Sequence, residues 1–213
     1  EIFHNDDTTM KILEMMAENK IVVDKRSRTG IFTTGILSIL DRRKIAIFFT
    51  GRRHAGENLT SVLAKRQQGL DPPIQMCDAL SRNTSEEFQT VLANCLTHGR
   101  RKFVDVAEHF PDECQYVLET LGEVYHHEAI IAEEGMTPAQ RLYFHKKNSK
   151  SLMDDLHQWL GRQFEQRKVE PNSGLGMAIN YMLNHWAELT LFLRVEKAPL
   201  DNNICERALK KAI

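Results

Sequence analysis

Three acidic positions have settings that could support chemistry. Asp6 stands in His4-Asn5-Asp6-Asp7-Thr8-Thr9, where a first strand should be ending or continuing. Asp78 follows the apolar stretch Ile74-Gln75-Met76-Cys77, and catalytic groups commonly gather outside strand C-termini in open α/β sheets. Glu206 lies in Pro199-Leu200-Asp201-Asn202-Asn203-Ile204-Cys205-Glu206-Arg207, a polar turn leading into a helix. Carboxylates brought together repel and raise one another's pKa, and a hard divalent cation reverses that penalty. Oxygen-only ligands suit Mg²⁺ or Mn²⁺ rather than zinc. Two such ions about 3.5–4 Å apart clamp the attacking and leaving oxygens of an in-line phosphoryl displacement. The chain holds 29 acidic residues, so spacing alone also allows Asp78 and Asp201 to be strand-end and N-cap residues with no chemistry.

The elements that must position these groups can be read from the pattern. Residues 31–40 and 44–50 are rich in β-branched and aromatic residues and flank the polar Asp41-Arg42-Arg43, which predicts an antiparallel hairpin. A helix is expected from about 56 to 68, ended by Gly69, then a short strand over 74–77, another near 91–96 and a first strand over 1–6. If the first strand and that at 74–77 are parallel neighbours, Asp6 and Asp78 come side by side, and a helix packed across them could deliver Glu206. From about residue 100 the spacing is helical. Cys114, Val117, Leu118, Leu121, Val124 and Tyr125 form one stripe. Thr137-Pro138-Ala139-Gln140 has the form of a capping box opening a helix through Leu152, Leu156, Trp159, Leu160 and Phe164. A further long helix carries Met182, Trp186, Leu189 and Leu193, and a last one starts near 202. The expected class is therefore α/β. Residues 1–103 form the first part of a mixed-sheet core, 104–197 a large all-α insertion, and 198–213 the core helix carrying Glu206.

Composition narrows the function classes. With 42% hydrophobic and 27% charged residues the chain has an ordinary globular make-up, and no apolar run reaches the roughly 18 residues of a membrane span. The start Glu1-Ile2-Phe3-His4 lacks the marks of a signal peptide and an initiator Met, so a piece of a longer protein is expected. Cys77, Cys95, Cys114 and Cys205 include no C-x-x-C pair, which points to reduced thiols in a cytoplasm and away from a zinc site within the chain. The net charge of −1 predicts no nucleic-acid partner by itself. Short basic runs do occur at 25–28, 42–44, 52–54, 100–102 and 210–211, and on one surface they would attract phosphate. Spacing cannot show that they share one.

The segment Asp201-Asn202-Asn203-x-x-Glu206-Arg207-Ala208-Leu209 resembles the DNNxxERA motif of insertion sequence 66 family transposases. Trp186, Phe192-Leu193 and Pro199-Leu200 resemble its lead-in, and Asn5-Asp6-Asp7-Thr8 the family's segment at the first acidic position. Cys95-Leu96-Thr97-His98-Gly99-Arg100-Arg101-Lys102-Phe103 is similar to its C-x-x-H-x-R-R-K-F segment, and Gln75-Met76-Cys77-Asp78 stands where its second Asp belongs. The resemblance implies a ribonuclease-H-like fold with a helical insertion before the Glu. It also implies a D-D-E triad of Asp6, Asp78 and Glu206 holding two Mg²⁺ or Mn²⁺ ions, and DNA strand cleavage and strand transfer at insertion-sequence ends. The implied partners are transposon-end and target DNA, a second copy on DNA and accessory proteins of the same element, on the nucleoid of a bacterial cytoplasm. Ala79-Leu80-Ser81-Arg82 departs from the Gly and aromatic residue expected after the second Asp.

Other positions carry weaker expectations. Strand alternation lets only one of Asp6 and Asp7 face the site, and Asp6 is favoured. His98 could touch metal, phosphate or a backbone carbonyl, or be structural. Arg100, Arg101 and Arg207 are candidate DNA-phosphate contacts. Asn202 and Lys210 lie four residues either side of Glu206, on one helix face, and so could meet the DNA strand; Lys210 could instead simply pair with Glu206. A nuclease that hydrolyses without joining, and a non-catalytic DNA-binding or assembly remnant, are the alternative functions.

Overall fold

A computed structural model describes residues 1–21, 28–41, 43–85 and 87–212, with 18–21 described as backbone only. Lys25, Arg26 and Ser27 of one basic run and Arg42 of another lie outside these residues. Two compact units are present: Glu1–Leu92 with Asp201–Ile213, and Ala93–Leu200.

The sheet has strands β1 (Ile2–Thr9), β2 (Phe32–Leu40), β3 (Arg43–Gly51), β4 (Ile74–Cys77) and β5 (Val91–Asn94) in the order β3-β2-β1-β4-β5, and all but Ala93 and Asn94 of β5 belong to the first unit. Helix α1 (Leu13–Ile21) follows β1. The β2–β3 hairpin closes with Leu40 opposite Arg43, and Asp41 sits at φ 54°, a left-handed conformation that Asp tolerates better than most residues. β1 pairs antiparallel with β2 and parallel with β4, with Asp6 opposite Gly35 and His4 opposite both Leu37 and Met76.

Alternation along β1 gives each face its own helix. Phe3 and Ile36 point to one face and are buried against Leu59 and Leu63 of α2 (Ala55–Leu63). On the other face Leu37 is buried with Cys205 and Leu209 of α9 (Asn203–Ala212), residues spaced i, i+4. Each fully buried leucine on these faces contributes about 1.5–3 kcal/mol. α2 ends five residues earlier than the spacing predicts. Beyond it Arg66 turns back, donating from Nε to Glu1 Oε2 at 2.8 Å and from a guanidinium N–H to the Asp71 carbonyl at 2.8 Å.

The second unit is helical: α3 (Leu96–Val104), α4 (Pro111–Glu133), α5 (Pro138–Asn148), α6 (Lys150–Glu165), α7 (Gly174–Asn184) and α8 (Trp186–Leu189), with a 3₁₀ turn at Leu191–Leu193. α3 packs on α4 and α7, which is why the first boundary falls at Leu92/Ala93 rather than after 103. The capping box forms: Thr137 Oγ1 accepts from Gln140 N, and Gln140 Oε1 accepts from Thr137 N. The single long helix expected after it is two, broken at Ser149, whose hydroxyl is shared by His127 Nδ1 at 2.9 Å and His145 Nδ1 at 2.8 Å. The buried stripe of α6 is Met153, Leu156, Leu160 and Gln163. The next expected long helix breaks at His185 and Thr190. Thr190 Oγ1 donates to the Trp186 carbonyl and accepts from Arg194. Buried His145 and Arg141 both bond Glu128, tying α5 to α4, and Arg141 also donates to the Ala198 carbonyl. Among the described residues no helix is long and apolar enough to cross a membrane.

Candidate metal centre

The carboxylates are positioned by the sheet and by one glycine. Asp6 lies on the same face of β1 as His4, the face covered by α9. Beyond the end of β4 the same alternation puts Asp78 on that face with Met76. Gly35, opposite Asp6, lets α9 approach. A Cβ there would lie 2.9 Å from Leu209 Cγ, and the Cys205 thiol donates to the Gly35 carbonyl at 3.4 Å. Glu206, the residue after Cys205, is thereby delivered beside Asp6. A glycine inside a β-branched strand is the sequence sign of such a close approach.

Asp78 is held by its own loop. Its Oδ1 accepts from Leu80 N at 3.1 Å and from Asn83 Nδ2 at 2.6 Å. Asn83 belongs to a 3₁₀ turn, Ser81–Asn83, and its carbonyl accepts from Asn5 and Gln75. Ala79-Leu80-Ser81-Arg82 thus forms a side-chain-capped turn that fixes the carboxylate. The base of α9 is fixed in parallel: Asp201 Oδ1 accepts from Asn203 N at 3.1 Å.

The neighbouring Asp7 points to the other face. Its carboxylate, 1% exposed, accepts from His54 Nδ1 at 3.0 Å and Ala55 N at 3.3 Å, and lies 3.5 Å from Arg82. It secures the N-terminus of α2.

The electrostatics show which groups share space. Asp6 is pushed up to about 7, first by burial and then by Asp78, with Glu206 and Asp7 adding to the rise and the 2.8 Å bond from Asp7 N opposing it. Burial, then Asp6 and Glu206, push the Cys205 thiol up, so it stays protonated. His4 is lowered, mainly by burial, and its Nδ1 donates to Asn202 Oδ1 at 3.0 Å.

One candidate contact needs correction. Asn202 is fully buried; its amide donates to the Asn5 carbonyl at 3.1 Å and its oxygen accepts from His4. It precedes α9 and pins the helix to β1, so it has no surface to offer a DNA phosphate. Arg207 and Lys210 are exposed on α9. In the helical unit, Arg100 and Arg101 are exposed on α3 and His98 is half-buried in its first turn. None of the four cysteines is in a disulfide, and all are buried.

Asp78 and Glu206 both act electrostatically on Asp6, and carboxylate oxygens are the donors that suit a hard divalent cation. Burial first, and then the neighbouring Asp78, push the Asp6 carboxyl up to about 7, and a cation bound there would lower it again.

The whole chain, residues 1–213, matches the family described as transposase IS66 family. Two curated relatives come from Sinorhizobium fredii. Uncharacterized protein y4hP is 32% identical over 131 residues, 55% of this chain and 23% of the relative. Uncharacterized protein y4jD is 34% identical over 134 residues, 62% of this chain and 25% of the relative. These matches span about a quarter of the relatives' length. No solved structure matches.

Proposed function

The chain belongs to the transposase IS66 family, and on that premise we propose that it is the catalytic core that cleaves DNA at insertion-sequence ends and joins the freed 3′ end to target DNA. Asp6, Asp78 and Glu206 hold two Mg²⁺ or Mn²⁺ ions on a ribonuclease-H-like sheet. The largely helical unit Ala93–Leu200 is the insertion into that core. The observation that supports this reading is that Asp6 lies on the α9 face of β1 and that Asp78 and Glu206 both raise its carboxyl.

Bound divalent ions supply charge neutralisation for the in-line displacement and acidify the attacking water. This chain's residues do the rest. Asp6 must be deprotonated to act as a ligand, so proton and metal compete for it, and metal binding tightens as pH rises toward the metal-free value of about 7. Asn83 and the Leu80 amide keep Asp78 aimed in advance, so no reorganisation is needed at the moment of reaction. Lys210 and Arg207, exposed on the helix of Glu206, contact phosphates of the strand being cut, and Arg100, Arg101 and His98 contact DNA from the helical unit. Transposon-end and target DNA are the partners, with a second copy of the protein bound alongside.

The test is joining of a pre-cleaved insertion-sequence end to a target plasmid in Mn²⁺. Glu206→Gln keeps shape and helix propensity and removes only the charge. It is expected to suppress both cleavage and joining. Wild-type joining by Glu206→Gln removes the third ligand. Cleavage with no joining by the wild type assigns a nuclease.

A further inference from the structure

Arg28, Arg53 and Arg82, separate in sequence, meet on the α2 face of the first unit. A cleft of about 650 Å³ is lined by Arg28, Arg53, His54 and Arg82, with hydroxyls of Thr60 and Ser61 beside them. Its volume is that of a small-ligand site, and its lining sets three guanidinium groups, an imidazole and several hydroxyls against the carboxylates of Glu57 and Glu87, a polar and net basic surface that suits an anion rather than an apolar molecule.

Each arginine is oriented. Arg28 donates to Glu57 Oε2 at 2.5 Å, and Glu57 is itself fixed by His54 N at 2.9 Å. That backbone bond, then Arg28, holds the Glu57 carboxyl below its usual value against the pull of burial. Arg53 donates to Ser61 Oγ at 3.2 Å. Arg82 lies 3.5 Å from the buried Asp7 and 6.0 Å from the Phe32 ring centroid. The side chains of Arg28 and Arg82 remain 59% and 46% exposed, so N–H groups are left for a ligand. A guanidinium uses such forked donors to grip phosphate oxygens, which a point charge cannot do as well.

The cleft lies on the α2 face, opposite the α9 face that carries Asp6, and is linked to the carboxylates through neighbouring residues of the chain. Arg82 lines it from the same 3₁₀ turn whose Asn83 holds Asp78, and His54 lines it while bonded to Asp7, the neighbour of Asp6. We propose that this cleft is a phosphodiester-binding subsite that holds the DNA strand running from the Asp6–Asp78–Glu206 cluster. The subsite rests on the reading of the protein as a DNA-processing enzyme but needs no metal. Glu87, exposed at its rim, opposes the bound phosphate.

The test measures equilibrium binding of the full 213-residue chain to a fluorescein-labelled DNA duplex in EDTA, across a salt series. Arg28→Ala combined with Arg53→Ala should weaken binding about tenfold or more, and the slope of log affinity against log salt should flatten by about one to two. Glu87→Gln should tighten binding about twofold, an effect that requires a folded protein and guards against misfolding of the arginine variant. The expectation for the double arginine variant is Mn²⁺ binding equal to that of the wild type, measured without DNA, beside its weakened duplex binding in EDTA. These two arms separate failure of the subsite from failure of the metal centre. The subsite is overturned if the wild type does not bind the duplex, or if the double arginine variant keeps wild-type affinity and slope. It is equally overturned if Glu87→Gln leaves affinity unchanged.

Discussion

Adding a single methyl group at Gly35 tests how the site is assembled. In Gly35→Ala the new Cβ meets Leu209 Cγ at 2.9 Å, Leu209 Cδ2 at 3.1 Å and Cys205 Sγ at 3.5 Å. Leu209 Cγ is a branch point rather than a flexible tip, and Leu209 is 4% exposed with Leu37 and Cys205 around it. It cannot swing away, so α9 must move by several tenths of an ångström. Overpacking of a buried contact costs about 1–3 kcal/mol. The stiffer unfolded chain returns about 0.4–1 kcal/mol of that. A net loss of roughly 1–2 kcal/mol remains, which for a two-unit chain lowers the melting temperature of the sheet unit by a few degrees. The larger effect falls on Glu206, which rides on α9 beside Cys205. Displacement approaching 1 Å can cost about a hundredfold in rate, so Mn²⁺ affinity and joining should fall further than stability does. Calorimetric Mn²⁺ titration beside a melting curve gives both numbers. Leu209→Ala in the same chain vacates the clash and should recover much of the Mn²⁺ affinity, although it opens its own cavity. Unchanged melting and Mn²⁺ affinity in Gly35→Ala would refute the claim that this glycine sets the position of α9.

Other substitutions separate neighbouring roles. Asp7→Ala strips His54 and Ala55 of their acceptor and should lower stability by about 1.5–3 kcal/mol, as for hydrogen bonds to a charged group, while Mn²⁺ affinity stays within about twofold; the reverse pattern in thermal and metal titrations would exchange Asp7 for Asp6. Without metal, stability should fall as pH rises between about 4 and 7. The folded state, with Asp6 near 7, binds a proton there that the unfolded chain has released. Asp6→Asn should remove that slope in a pH series of denaturant melts, and a slope that persists assigns it elsewhere. In the helical unit, His145→Ala leaves Glu128 without one partner and Ser149 without another. It should destabilise by about 2–3 kcal/mol with Mn²⁺ binding intact, and a matching loss of Mn²⁺ affinity would contradict the independence of the carboxylate cluster.

How far the sequence could be read differs by element. The β2–β3 hairpin was legible because two β-branched runs flank a polar break whose Asp41 accepts a left-handed backbone. The capping box at Thr137 and Gln140 was legible because its chemistry is local. Helix breaks at Ser149 and Thr190 were not, since both residues are tolerated inside helices. Ser149 is engaged by His127, 22 positions away, and Thr190 by a local bond that periodicity does not encode. The adjacent Asp6 and Asp7 could not be told apart by type. Their roles are set by α9 on one face and by His54 on the other. Asn202 shares Glu206's spacing on a helical wheel, yet it sits just before α9 and is consumed by His4 and Asn5. Gly35 did carry a readable signal, a glycine interrupting Thr33-Thr34 and Ile36-Leu37, but what approached it lay at the other end of the chain.

The central claim is that Asp6, Asp78 and Glu206 together form one divalent-metal centre. Equilibrium Mn²⁺ binding to the wild-type chain and to Asp6→Asn, Asp78→Asn and Glu206→Gln tests it most directly. The expected result is two ions per wild-type chain, with each single substitution weakening binding at least tenfold without lowering metal-free stability, because each neutralises one member of a repelling cluster. A wild type that binds no Mn²⁺, or a variant that binds it as tightly as the wild type, contradicts the account.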